Sequence, residues 1–265
     1  MMNSMNRYIN LYYEYFKVNI KGALVYSTDF VFGLVSMLIK NIMKFLILIF
    51  IFVHLDNIKG YDFNQILFLY GFATVSYAIW HCFFINTISM AHYTKNGLLD
   101  GFLLKPISPL FQIMTDGFDD DGWSELLFGI LILAVAIGRL EIMSWSILLI
   151  PILVVSGALI YASIALLGSI MSFISVGYNN LSDVVMDMFE FAKYPLTIFP
   201  NVLRTVMTII LPIGFASYFP SAYFMSTFEE GKIYLLLTPI YAVIFFAVTC
   251  KLWNYSLRFY KSSGS

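Results

Sequence analysis

A stripe of polar residues runs through a stretch that is otherwise apolar. Asp29, Gly33, Ser36, Lys40 and Lys44 recur at intervals of 4, 3, 4 and 4, with Asn41 beside them. That spacing puts them on one face of a helix. Charged side chains within a membrane helix are costly and turn towards a partner helix, a water-filled cavity or an acid. Lys40 and Lys44 therefore read as the wall of a pathway or as a subunit interface. The other reading starts the helix later and lets both lysines reach the membrane surface along their aliphatic stems. A second stripe, Tyr70, Thr74, Tyr77 and His81, repeats at 4, 3 and 4. Its polar, aromatic face suits amphipathic or cationic cargo, by cation–π attraction. Its hydroxyls equally suit hydrogen bonds between neighbouring helices. His81 taken alone reads as a packing residue rather than a proton relay.

No catalytic motif accompanies these stripes. The pair Gly231-Lys232 lacks the upstream glycine of a phosphate-binding loop. His54, His81 and His92 are scattered, with no HExxH and no carboxylate at ligand spacing. No GxSxG elbow occurs. Asp119, Asp120 and Asp121 read as a solvated loop. Cys82 and Cys250 lie far apart in apolar runs and read as small buried hydrophobes. The chain is thus expected to be no enzyme by itself, with no catalytic residue, metal or bound cofactor of its own.

The elements that must carry the stripes are membrane helices. Of the 265 residues, 60% are hydrophobic and 12% charged, and the mean hydropathy is +0.82. Soluble domains carry about twice that share of charge, about 25%. A net charge of −1 gives no sign of nucleic-acid binding. A helix needs about 20 apolar residues to cross the hydrocarbon core. By that rule the spans fall at about 29–53, 65–90, 124–138, 146–176 and 233–253, the third extendable backwards.

Residues 181–219 allow two readings. Asp183, Asp187, Glu190 and Lys193 share one helical face, and Pro195, Pro200, Pro212 and Pro220 interrupt the chain beyond them. One reading is a span at about 182–200 leading into a re-entrant segment. The other is an interfacial helix leading into a span at about 199–219. Residues 5–22, with Tyr8, Leu11, Tyr12, Tyr15 and Phe16 at helical spacing, read as a helix lying in the membrane interface. An N-terminus inside the cell leaves Arg7, Lys17, Lys21, Lys95, Lys105, Arg258 and Lys261 in cytoplasmic segments. Six spans then put both termini in the cytoplasm. No internal repeat or linker divides residues 1–265, which read as one transmembrane domain.

Between the second and third spans lies Thr94–Trp123, on the cytoplasmic side in this orientation. Leu98, Leu99, Phe102, Leu103 and Leu104 are apolar, Asn96, Asp100 and Lys105 are polar, and Pro106 and Pro109 stop the helix. A short amphipathic helix at 96–105 is expected, docked in a groove of a partner or flat on the bilayer.

The run NGLLDGFLLKPISPLFQI resembles the intracellular loop of permeases of bacterial type-2 ABC exporters, the ABC-2 family. Gly97, Leu99, Asp100, Leu103, Leu104, Lys105, Pro106, Pro109, Leu110 and Phe111 carry the match. A second match, Tyr194 to Pro220, resembles the family's proline-broken segment after the fifth span and favours the re-entrant reading. The resemblance implies an all-α membrane protein of six spans, with an N-terminal interfacial helix, a cytoplasmic coupling helix and a re-entrant segment before the last span. It implies a permease of the bacterial cytoplasmic membrane, paired with a second copy or a paralogue. Gly97 to Pro106 would couple to a separate ATPase subunit that binds the ATP and Mg. The alternatives are a secondary transporter driven by an ion gradient and a non-transporting membrane scaffold.

Overall fold

The computed structural model describes residues 4–25, 27–117, 119, 121–142, 145–174, 180–225 and 231–262. It is about 85% helical, with no strand among the described residues. Helix α1 spans Ser4–Val25, α2 Ser27–His54 and α3 Phe63–Phe84. A 3-10 turn leads to the short helices α4 (Met90–Lys95), α5 (Leu98–Leu103) and α6 (Pro109–Thr115). Next come α7 (Asp121–Arg139), α8 (Ile150–Ile174) and α9 (Asn180–Glu190). Four more short pieces, α10 (Asn201–Thr205), a π turn at Val206–Ile210, α11 (Ile213–Ala216) and α12 (Tyr218–Ala222), lead to α13 (Gly231–Ser256). Five helical stretches are long and apolar enough to cross a membrane: Ser27–His54, Phe63–Lys95, Asp121–Arg139, Trp145–Phe173 and Gly231–Phe259.

Helix α3 forms the axis of the molecule. Almost all of it is buried, and α7, α8 and the 191–193 turn pack around it. Helices α2 and α13 sit at the periphery and turn most of their apolar side chains outwards. The start of α3 is fixed by its cap. Asp62 Oδ1 accepts from the Gln65 backbone N–H at 2.9 Å, and Gln65 Oε1 accepts from the Asp62 N–H at 2.9 Å. This reciprocal arrangement satisfies two donors that a bare helix end would leave open. Gln65 Nε2 also donates to Met225 O at 2.8 Å, tying α3 to the segment before α13.

Helices α3 and α7 meet along glycines. A Cβ at Gly71 would lie 2.7 Å from the backbone nitrogen of Leu133, and one at Gly129 would lie 3.0 Å from the backbone nitrogen of Val75. Small residues at such positions let two membrane helices close to backbone contact.

The expected span at 182–200 does not form as one helix. Helix α9 has 11 residues and ends at Glu190, and 3-10 turns succeed it at Phe191–Lys193 and Leu196–Ile198. Eleven residues rise only about 16 Å at 1.5 Å each, about half of the hydrocarbon core. The cause is Pro195. It holds Tyr194 extended, at φ −123° and ψ 148°, as the residue before a proline must be. The third expected span begins at Asp121, extended backwards into the loop. Residues 175 and 176 of the fourth lie outside the described residues.

Closing the glycine seam should be costly. Gly71→Val should lower stability by about 1–3 kcal/mol, as overpacking of a tight interior does. Gly22→Ala, where an added Cβ meets nothing within 4 Å, should leave stability unchanged or slightly raised. Thermal unfolding of the detergent-purified variants checks both.

Candidate functional site

Six ionisable side chains of alternating sign form a continuous chain through the interior. Lys44 Nζ donates to Glu190 Oε1 at 2.7 Å. Glu190 Oε2 accepts from Lys193 Nζ at 3.0 Å, and Lys193 Nζ lies 3.9 Å from Glu125 Oε1. Glu125 Oε2 lies 3.2 Å from His81 Nδ1, and His81 Nε2 lies 3.1 Å from Asp119 Oδ2. Glu125 and Lys193 form its centre, with side chains 1% and 3% exposed. Lys44, Glu190 and Asp119 at its ends are each about a third exposed.

Each member comes from a different place in the fold. Helix α2 supplies Lys44, α3 His81, α7 Glu125 and the end of α9 Glu190. The turn after α9 supplies Lys193, and the residues before α7 supply Asp119. The break at Pro195 thus has a local purpose. It ends α9 so that Lys193 turns into the bundle, where its ammonium lies 5.7 Å from the ring centroids of both Tyr70 and Tyr77. A cation so placed gains from the ring faces when water is excluded.

A carboxyl group faces each ring nitrogen of His81, so with both acids ionised both bonds form only when both nitrogens carry protons. Three positive and three negative groups then sum to zero, which is how a low-dielectric interior tolerates them. Burial alone would push the Asp119 carboxyl up. The hydrogen bond and charge of His81, with the Asp121 N–H, outweigh that and hold it below the usual carboxylate range.

The stripe on α2 is divided. Lys44 enters the chain, whereas Ser36 and Lys40 remain exposed and Asn41 is buried with its amide nitrogen unpaired. Asp29 and Gly33 line a recess of about 600 Å³ with Asp119 and Asp121. The stripe on α3 is wholly buried. Tyr70 and Tyr77 flank Lys193, Thr74 packs on α7 at Gly129, and His81 joins two acids. His81 is a buried residue whose two ring nitrogens each face an acid. The solvated acidic run is corrected in part, since Asp119 is half-buried against His81, while Asp120 lies outside the described residues. Spacing along the sequence does not single out Glu125 and Lys193 as site residues. The signal available for Lys193 is the face it shares with Asp183, Asp187 and Glu190, and for Glu125 an acid at the head of an apolar helix.

At the end of the bundle that carries α4, α5 and α6, Gly97 adopts φ +67°, a left-handed turn that separates α5 from α4. The helix expected at 96–105 is therefore shorter, Leu98–Leu103. Leu99 is fully buried in a second core with Met90, Tyr93, Leu166, Phe173 and Trp253. Phe102 packs on Tyr93, and the Lys105 ammonium lies 5.2 Å from the Phe102 ring. Leu98 and Leu103 are about half exposed and Leu104 is 88% exposed. Asp100 is half-buried, and Lys105 and Pro106 are exposed. Gln112 Nε2 donates to Phe102 O and Ile107 O, both at 3.0 Å, closing the turn between α5 and α6. Helix α1 lies against this region. Tyr8 and Tyr15 both contact Phe111, and Asn19 Nδ2 donates to Thr115 O at 3.1 Å.

Long apolar helices around a charged, neutralised interior define a multi-pass membrane protein. Among the described residues no group of three His, Cys, Asp or Glu could hold a metal ion. The chain belongs to the ABC-2 family transporter proteins, whose family model matches residues 38–264. It is the permease component of an ABC transporter, in a family whose membrane domains are not themselves catalytic and work with an ABC ATPase subunit. No curated protein and no solved structure matches it.

Removing the centre of the charge chain should be severe. Lys193→Met leaves Glu125 and Glu190 without their shared cation and should cost about 3–5 kcal/mol, the usual range for breaking a buried pair. Lys44→Met, at the partly exposed end, should cost no more than about 1 kcal/mol. Denaturation of both variants in the same detergent gives the comparison.

Proposed function

We propose that this chain forms the translocation pathway of a bacterial ATP-binding cassette exporter and takes its drive through α5. The supporting observation is the divided character of that six-residue helix. One residue, Leu99, is locked among the ends of α8 and α13, while Leu98, Leu103 and Leu104 face outwards. Single exposed leucines are ordinary on a protein surface. Two on so short a helix, with a third just after its end, form a patch that suits a groove on a partner. Gly97, Asp100, Phe102, Lys105 and Pro106 shape the patch and its edges.

In this reading α5 seats in a cytoplasmic ATPase subunit, which holds the ATP and Mg. The N-terminus, α4 to α6 and the C-terminus lie on the cytoplasmic side of the bacterial inner membrane. Helix α1 lies in the inner interface. The segment 180–225 serves as a fifth, re-entrant passage, so the chain counts six. A second copy or a paralogue completes the pathway, and Ser36, Lys40 and Lys44, which α2 carries at the periphery, line it or its dimer interface. Nucleotide shifts the permease only if the ATPase binds it better in one permease state than in the other. Leu99 carries that bias into α8 and α13, because a side chain enclosed on all sides moves with its neighbours.

Leu103→Asp and Leu104→Asp should each weaken ATPase association at least about tenfold, since burying an apolar side chain is worth about 1.5–3 kcal/mol. Their melting temperatures should stay at the parent value. Leu99→Asp should instead destabilise the permease itself. Co-purification with the ATPase, alongside thermal unfolding, reads both. A Leu104→Asp chain that holds its ATPase as the parent does would remove α5 from the coupling role.

A further inference from the structure

A cavity of about 330 Å³ lies between α2 and α9, lined by Lys40, Lys44, Tyr77, Asp183, Met186, Asp187 and Glu190. Its charges are sorted by element. The cations stand one turn apart on α2, and the carboxylates stand one turn apart along α9. Lys44 and Glu190 close on each other at 2.7 Å. Lys40, Asp183 and Asp187 face the same space, yet they form no ion pair among the described residues. Tyr77 also lines the cavity. It is 6% exposed, and its ring lies 5.7 Å from the Lys193 ammonium.

The sorting of charge restricts that occupant. A simple cation would pair with the aspartates and leave Lys40 uncompensated. A simple anion would do the reverse. A ligand that carries both signs a few bonds apart satisfies both walls, with charge-assisted hydrogen bonds at each end. The approach to the cavity is apolar. Met43, Ile47 and Phe50 continue from Lys40 at steps of 3, 4 and 3 along α2, and all three are exposed. We propose that this cavity binds a zwitterionic amphiphile of the phosphatidylethanolamine class. The phosphate lies at Lys40, the ammonium at Asp183 and Asp187, and the chains lie along the outward face of α2. The site rests on the membrane placement of α2 and α9 in the proposed permease and is independent of ATPase docking.

The test is binding of short-chain dihexanoyl-phosphatidylethanolamine to the full chain, purified without ATPase. Dihexanoyl-phosphatidylglycerol, a long-chain primary amine and free phosphoethanolamine serve as comparison probes. Saturable binding of the first, at least tenfold tighter than the other three, is expected. Lys40→Gln and Asp187→Asn should each weaken it at least tenfold, and Lys40→Arg should restore it. Lys40 and Asp187 are exposed and form no ion pair among the described residues, so unchanged melting of the variants separates lost binding from lost fold. Equal binding of the glycerol lipid or of the amine overturns the proposal. So does binding of the ethanolamine lipid that neither substitution alters, or the absence of saturable binding. Free phosphoethanolamine binding as tightly as the lipid overturns the amphiphile and leaves a soluble zwitterion. Because no ATPase is present, any of these results stands apart from the role of α5.

Discussion

Much of this structure depends on where one ammonium sits. Lys193 is enclosed between two carboxylates and two tyrosine rings, far from water. Hydrocarbon has no means of stabilising such a charge, so every surrounding element must contribute to it. Helix α7 brings Glu125, α9 brings Glu190, and α3 brings the aromatic rings. Neutrality then spreads outwards, through Glu190 to Lys44 and through Glu125 to His81 and Asp119. Buried ionic networks add little to stability over a well-packed apolar core. What this one supplies is a fixed register among helices that have few other polar landmarks.

Two packing regimes coexist around that centre. Helices α3, α7 and α8 are in close contact, with glycine and serine where their backbones approach. Helices α2 and α13 are attached more lightly, and α2 exposes polar as well as apolar side chains. At the α4–α6 end, a second small core joins the ends of α8 and α13 to Leu99 of α5. The fold therefore contains a dense middle, a looser perimeter and a compact foot.

The long helices are legible because lipid imposes so strict a demand. Twenty or so apolar residues in a row have few other uses, and α2, α3, α7, α8 and α13 all lie near their expected bounds. The stripe on α3 and the loop before α7 are legible from spacing and proline alone. What hydropathy does not convey is pairing. Glu125 and Lys193 belong to separate elements, and nothing local to either announces the other. The helix expected at 182–200 fails for a different reason. The resemblance of Tyr194 to Pro220 to the family's proline-broken segment suggests a crossing there, but Pro195 dictates an extended Tyr194 and so a helix of 11 residues. Gly97 acts likewise on a smaller scale, holding back the start of the amphipathic helix expected at 96–105 to Leu98.

The seam between α3 and α7 also sets a mechanical limit. Backbones that touch through Gly71 and Gly129 have no layer of side chains between them to act as a bearing. Sliding one helix along the other by even a single residue would drive a side chain into a backbone. The pair therefore travels as a single beam, and any change of shape on the scale of a transport cycle has to be taken up elsewhere, where helices meet through longer and more yielding side chains.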